Sequence, residues 1–210
     1  MTDGPRSVAV ARALLDADTV TLRPDDPVTF KSGLRSPVYV DNRRLLSQPE
    51  AWRVVIDAFA AELPAGEVVI AGVESAGIPH SSALAFSTGR PSVFVRKAAK
   101  EHGLSRRIEG GDVAGRSAIL VEDMVTTGGS SLSAVEALRD AGAAVQDCFA
   151  IITYGFSEAV EAFAAAAVEL TTLTTFETVV AEARQRGGIG EREAALVRAW
   201  LADPHAWDAA

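Results

Sequence analysis

The sequence predicts an α/β protein, built as an open, mainly parallel, doubly wound sheet with a small N-terminal α+β hood. Two patterns predict it. From residue 67 onward, short and wholly apolar runs alternate with segments of helical periodicity: Val68-Val69-Ile70, Val93-Phe94-Val95, Ala118-Ile119-Leu120-Val121 and Phe149-Ala150-Ile151-Ile152. Runs that are apolar at every position suit parallel strands covered on both faces, and strand–helix–strand order builds such a sheet. Before residue 45 the pattern changes to short alternating runs punctuated by prolines, as in a small α+β cap.

Taken in order, residues 5–17 carry Val8, Leu14 and Leu15 among alanines, which predicts a short helix. The pairs Val20/Leu22 and Val28/Phe30 alternate as strands do, with Pro24 and Pro27 between them. Val38-Tyr39-Val40 continues the strand character after Ser36-Pro37, and Pro49 opens a helix through Trp52, Val55, Ile56 and Phe59. Further helices are predicted near 78–88, 130–141 and 157–167, then a strand near 168–173 and helices near 176–186 and 191–202. No repeat or linker divides the chain, so residues 1–210 are expected to form one domain. Residues 1–45 and the C-terminal helices then contribute hood and edges.

The 210 residues are 48% hydrophobic, enough for a continuous core. A formal net charge of −8 repels nucleic acid and anionic membranes, so an anionic ligand must be held by a local cluster of donors. Cys148, the single cysteine, lies in an apolar run and reads as inert packing. No run approaches the roughly 20 apolar residues that span a bilayer, and no basic segment followed by an apolar one opens the chain. A cytoplasmic location is therefore expected.

The most informative stretch is the apolar run 118–121 followed by Glu122-Asp123-Met124-Val125-Thr126-Thr127-Gly128-Gly129-Ser130-Ser131. A turn from a strand's carboxyl end into a helix presents free N–H groups and the positive end of the helix dipole, which suits a phosphate. Gly128 and Gly129 permit close approach, and Thr126, Thr127, Ser130 and Ser131 add hydroxyl donors. Two adjacent carboxylates repel that phosphate; sugar hydroxyls, a metal ion or developing positive charge are their natural partners. Other phosphate motifs fit less well. Gly72-Val73-Glu74-Ser75-Ala76-Gly77 begins like an ATP-binding loop but continues into Ile78-Pro79, and Gly187-Gly188-Ile189-Gly190 follows a helix rather than a strand.

The run 118–131 resembles the phosphoribosyl pyrophosphate signature of type I phosphoribosyltransferases, with Glu122-Asp123 as the acidic pair and Thr126 to Ser130 as the phosphate loop. Three more segments resemble the orotate phosphoribosyltransferases. Arg96-Lys97-Ala98-Ala99-Lys100-Glu101-His102 is similar to their mobile basic loop. Lys31-Ser32-Gly33 with Ser36-Pro37 and Tyr39 is similar to their N-terminal pattern. Ser75-Ala76-Gly77 occupies the place of their pyrophosphate-side loop.

The resemblance implies transfer of a 5-phosphoribosyl group from phosphoribosyl pyrophosphate to orotate, giving orotidine 5'-monophosphate for pyrimidine synthesis. It implies catalytic roles for Lys100, His102, Glu122 and Asp123, and substrate contacts from Lys31, Tyr39, residues 75–77, Arg96, Lys97 and residues 122–130. It implies Mg²⁺ held by the donor's own oxygens with no protein ligand, and a homodimer in which loop 97–110 reaches the neighbouring site. Two departures stand out. Ser75-Ala76 stands where one branch of the family has a Tyr-Lys pair, and Thr153-Tyr154-Gly155-Phe156 stands where some members place an Asp-Arg pair whose arginine meets the orotate carboxylate. A purine-type phosphoribosyltransferase and a regulator that only senses the donor are the rival readings; the 96–102 basic motif together with Lys31 to Asp41 argues against the first, and the acidic balance against the second.

Overall fold

A computed structural model of the chain describes residues 4–23, 25–29, 35–98, 107–204 and 207. These residues group into two compact units. The first comprises residues up to Val54, Tyr154–Phe156 and the chain from Thr174; the second comprises Val55–Thr153 and Ser157–Leu173.

The first unit is the α+β part. Helix α1 (Pro5–Asp16) starts on a proline, whose fixed φ suits the first turn, and buries Val10, Ala11, Ala13 and Leu14. Strand β1 (Val20–Leu22) pairs antiparallel with β4 (Val38–Val40), and β2 (Val28–Thr29) pairs with β3 (Arg35–Ser36). A 3₁₀ turn over Asn42–Ser47 follows, which the sequence did not announce because it has no apolar period. Helices α6 (Phe176–Gln185) and α7 (Glu191–Ala202) complete the unit, with α6 against α1. Trp200 is fully buried and its indole N–H donates to the Arg35 carbonyl at 2.8 Å. Tyr154 stacks on Phe176 at 4.9 Å and meets Trp200 edge-on at 5.3 Å, so these rings form one aromatic cluster. Helix α2 (Pro49–Glu62) begins here and continues into the second unit.

The second unit is the doubly wound sheet. Its strands are β5 (Val69–Val73), β6 (Ser92–Val95), β7 (Ile108–Glu109), β8 (Ser117–Val125), β9 (Ala144–Thr153) and β10 (Glu169–Thr172), arranged in the order β10-β9-β8-β5-β6-β7. All neighbours are parallel except the edge pair β6 and β7. Helices α3 (Gly77–Thr88), α4 (Gly129–Asp140) and α5 (Ser157–Ala165) are its crossovers. Every residue of β5 is buried, and Ile70, Ala71, Leu120, Val121, Ala150 and Ile151 are fully so, as wholly apolar strands require.

Two features correct the sequence reading. The third core strand runs four residues beyond its apolar part. Glu122, Met124 and Val125 still pair with Ala150, Ile152 and Thr153, because a ladder needs only backbone groups and β9 extends far enough to supply them. The acidic pair is thus part of a strand rather than of a loop. The two-residue edge strand β7 was not expected at all.

Candidate active site

Strands β6, β5 and β8 are adjacent and parallel, so their carboxyl ends open at one edge of the sheet. That edge gathers 74–77, 96–98 and 126–128, the region where open α/β sheets bind ligands.

The turn after β8 is shaped by Gly128. Its φ of +85° lies in the left-handed region, and a Cβ there would stand 2.8 Å from the Phe163 ring. A side chain is excluded on both counts. Among the described residues no side chain caps the first turn of α4, and none of their atoms lies within 4 Å of where a Cβ on Gly129 would stand. Uncapped amides at a helix N-terminus and an open approach are what an anion needs. Thr127 and Ser130 are exposed and Thr126 is half-buried, whereas Ser131 is buried at 1% exposure and is not a solvent-facing hydroxyl as expected. Val125 is also buried, so only its backbone is available; Met124 is half-buried.

The two acids differ. Glu122 is 5% exposed, and its Oε1 accepts the Asp123 N–H at 3.1 Å. Burial first, and the Asp123 charge next, push the Glu122 carboxyl up to about 9, with Lys97 pulling the other way. Burial thus favours the protonated form of Glu122 beside the half-buried Asp123. Against this strand end lies the 75–77 loop: a Cβ on Gly77 would fall 2.6 Å from the Val121 carbonyl oxygen and 3.3 Å from Glu122 Oε1. Ser75 is exposed and Ala76 half-buried, so this loop brings backbone donors and one hydroxyl but no cation.

The cations come from the end of β6. Arg96 is half-buried and its Nη1 lies 3.5 Å from Glu109 Oε1, while Lys97 is exposed. The backbone N–H of Lys97 donates to Glu74 Oε2 at 2.8 Å. A cavity of about 140 Å³ is lined by Arg96, Lys97, Arg107, Ser130 and Ser133 over Val73, Val95 and Ala134. Sequence reasoning missed Glu74, Arg107 and Ser133; the first two directly flank strands, but nothing in their spacing reveals the partners they find.

Lys31, Lys100 and His102 lie outside the described residues. Tyr39 is in β4 of the first unit, 42% exposed. Larger clefts of about 590 Å³ beside α4 and β7, and about 430 Å³ along α1 and the start of α2, contain none of the predicted site residues. Among the described residues no three His, Cys, Asp or Glu side chains converge on a metal position. A buried Glu122, raised toward its neutral form, beside Asp123 is a poor cage but fits a hard cation that arrives on substrate oxygens and keeps its waters.

A glycine-shaped turn behind a strand that carries paired acids near its carboxyl end is the arrangement expected of the phosphoribosyltransferase class, and residues 43–166 match the Phosphoribosyl transferase domain family. The orotate phosphoribosyltransferase of Bacillus caldolyticus is 39% identical over 202 residues, covering 94% of this chain and 97% of that protein. The chain belongs to the orotate phosphoribosyltransferase family. Among solved structures, the orotate phosphoribosyltransferase of Aeropyrum pernix superposes with a TM-score of 0.73 at 30% identity, over 86% of this chain and 99% of that one. The UMP synthase of Leishmania donovani gives 0.80 at 27% identity, over 95% of this chain and 43% of that longer one.

Proposed function

We propose that this chain transfers the 5-phosphoribosyl group of phosphoribosyl pyrophosphate to orotate, giving orotidine 5'-monophosphate and pyrophosphate in pyrimidine nucleotide synthesis. The observation that carries the reading is the meeting of the Gly128 turn, Asp123 and Lys97 at one sheet edge. The relatives' shared activity selects orotate as the acceptor.

In this reaction the bond from the ribose anomeric carbon to pyrophosphate oxygen breaks, and a bond from that carbon to an orotate ring nitrogen forms. The nitrogen's proton leaves to solvent. The 5'-phosphate sits on the amides and hydroxyls of 126–130, and the ribose hydroxyls meet the acid pair. Glu122 in its protonated form donates a hydrogen bond, while Asp123 accepts one and faces the positive charge that develops on the ring. Arg96 and Lys97, with Lys100 and His102 as the resemblance implies, stabilise the departing pyrophosphate. Backbone donors of 75–77 serve the same group from the other side. Lys31 and Tyr39 are assigned ligand contacts on the resemblance alone.

Mg²⁺, bound through donor oxygens, offsets the charge of the leaving group when present. The active form is a homodimer in which loop 97–110, rooted in its own chain at Lys97 and Arg107, brings Lys100 and His102 to the neighbouring site. Phe86 of α3, 92% exposed, is an apolar side chain that contact between copies would cover. The whole chain acts as one phosphoribosyltransferase domain, and its place is the cytoplasm.

The test is nucleotide formation by purified protein from phosphoribosyl pyrophosphate with orotate, adenine or hypoxanthine, with and without Mg²⁺. Turnover confined to orotate and lost on chelation supports the reading. Turnover confined to a purine contradicts it.

A further inference from the structure

We infer that Arg107 is a positioning residue for this reaction, fixing the pyrophosphate-side cations relative to the 5'-phosphate turn. The inference rests on the phosphoribosyl-transfer reading and adds a residue outside the catalytic set proposed for it.

Strands β6 and β7 pair antiparallel with Val95 opposite Ile108, so residues 96 and 107 are the next to face each other, at the root of the basic stretch. The Arg96 N–H donates to the Arg107 carbonyl at 2.8 Å, and Arg107 Nε donates back to the Arg96 carbonyl at 2.9 Å. The same guanidinium then reaches α4, where Nη1 donates to both the carbonyl oxygen and the Oγ of Ser133, each at 3.1 Å. One planar group thus joins the root of the basic stretch to the helix whose first residue is Gly129. Ser133 lies one helical turn after the phosphate turn.

Each of these acceptors is neutral, so what Arg107 supplies here is the fixed fork of its donors rather than charge pairing. From the opposite side, Glu74 accepts the Lys97 N–H at 2.8 Å and its own N–H donates to the Val95 carbonyl at 3.0 Å. Lys97 is held between these two anchors. Pyrophosphate departure requires its cations at a set distance from a ribose whose far end is anchored on 126–130. A misplacement of about 1 Å costs on the order of a hundredfold in rate. A lysine at 107 keeps the charge but cannot bridge the two elements.

The experiment compares kcat, KM for orotate and for the donor, and melting temperature in wild type, Arg107→Ala, Arg107→Lys and Ser133→Ala. Arg107→Ala and Arg107→Lys should each lower kcat by roughly ten- to a hundredfold, with KM for orotate within about twofold. Ser133→Ala, which suits a helix and removes one of the three acceptors, should lower kcat about threefold at an unchanged melting temperature. Full activity in Arg107→Lys would show that charge alone matters and overturn the inference. So would a fall in melting temperature with kcat per folded molecule unchanged, or wild-type kcat in Ser133→Ala together with Arg107→Ala. If these variants match an active wild type, only this inference fails; a wild type that makes no orotidine 5'-monophosphate fails the underlying reading as well.

Discussion

Gly77 packs so closely on Val121 that a Cβ on the glycine would stand 2.6 Å from the carbonyl oxygen of Val121. The obstructing atom belongs to the backbone of a central strand and cannot swing aside. Gly77→Ala is therefore expected to push the 75–77 loop off β8, at a cost of about 1–3 kcal/mol in stability. Because the loop is proposed to face pyrophosphate, turnover should fall by roughly a hundredfold. Thermal unfolding and steady-state kinetics on the same preparation check both effects, and wild-type turnover in the variant would remove the loop from the mechanism.

Glu122 sets a pH dependence whose sign follows from its burial. Its folded-state carboxyl is raised from 4.5 to about 9, so between those values the unfolded chain ionises and the folded chain keeps the proton. The folded state then binds more protons than the unfolded one, and the contribution of this group is complete below about pH 4.5 and declines as pH rises toward 9. Glu122→Gln, which keeps the shape and removes the titration, should lose less stability than wild type between pH 5 and pH 9 in denaturant titrations. Parallel curves for the two proteins would mean that Glu122 is ionised in the fold.

Trans action of the basic loop is testable by mixing defects. Lys100→Ala and Asp123→Ala proteins should each be nearly inactive, whereas mixed dimers rebuild one intact site from two defective chains. Recovery approaching a quarter of wild-type activity is expected from random reassortment of equal amounts. Absence of recovery after proven subunit exchange would place loop and acids of one site in one chain.

The sheet was legible because β5, β6, β8 and β9 each carry a run of at least three consecutive apolar residues, a pattern that suits burial on both faces and that few alternatives share. Where polarity and pairing part company, the pattern misleads. Glu122 and Asp123 look like the end of a strand, yet β8 continues through them because β9 offers backbone partners as far as Thr153. The edge strand Ile108–Glu109 is too short for any period, and the turn over Asn42–Ser47 has none.

The phosphate turn was legible for a different reason: its glycines, hydroxyls and acids are contiguous, so one local geometry accounts for all of them. Contacts between segments were not. Lys97 meets Glu74 and Arg107 meets Ser133 across 23 and 26 residues, and only the order of the strands in the sheet brings those pairs together.

The most direct measurement is a crystal structure with orotidine 5'-monophosphate bound. The 5'-phosphate should lie within hydrogen-bonding distance of the 127–130 amides, with the ribose hydroxyls on Asp123 and Glu122. A nucleotide bound with its phosphate elsewhere and 122–130 untouched would contradict the account at its centre.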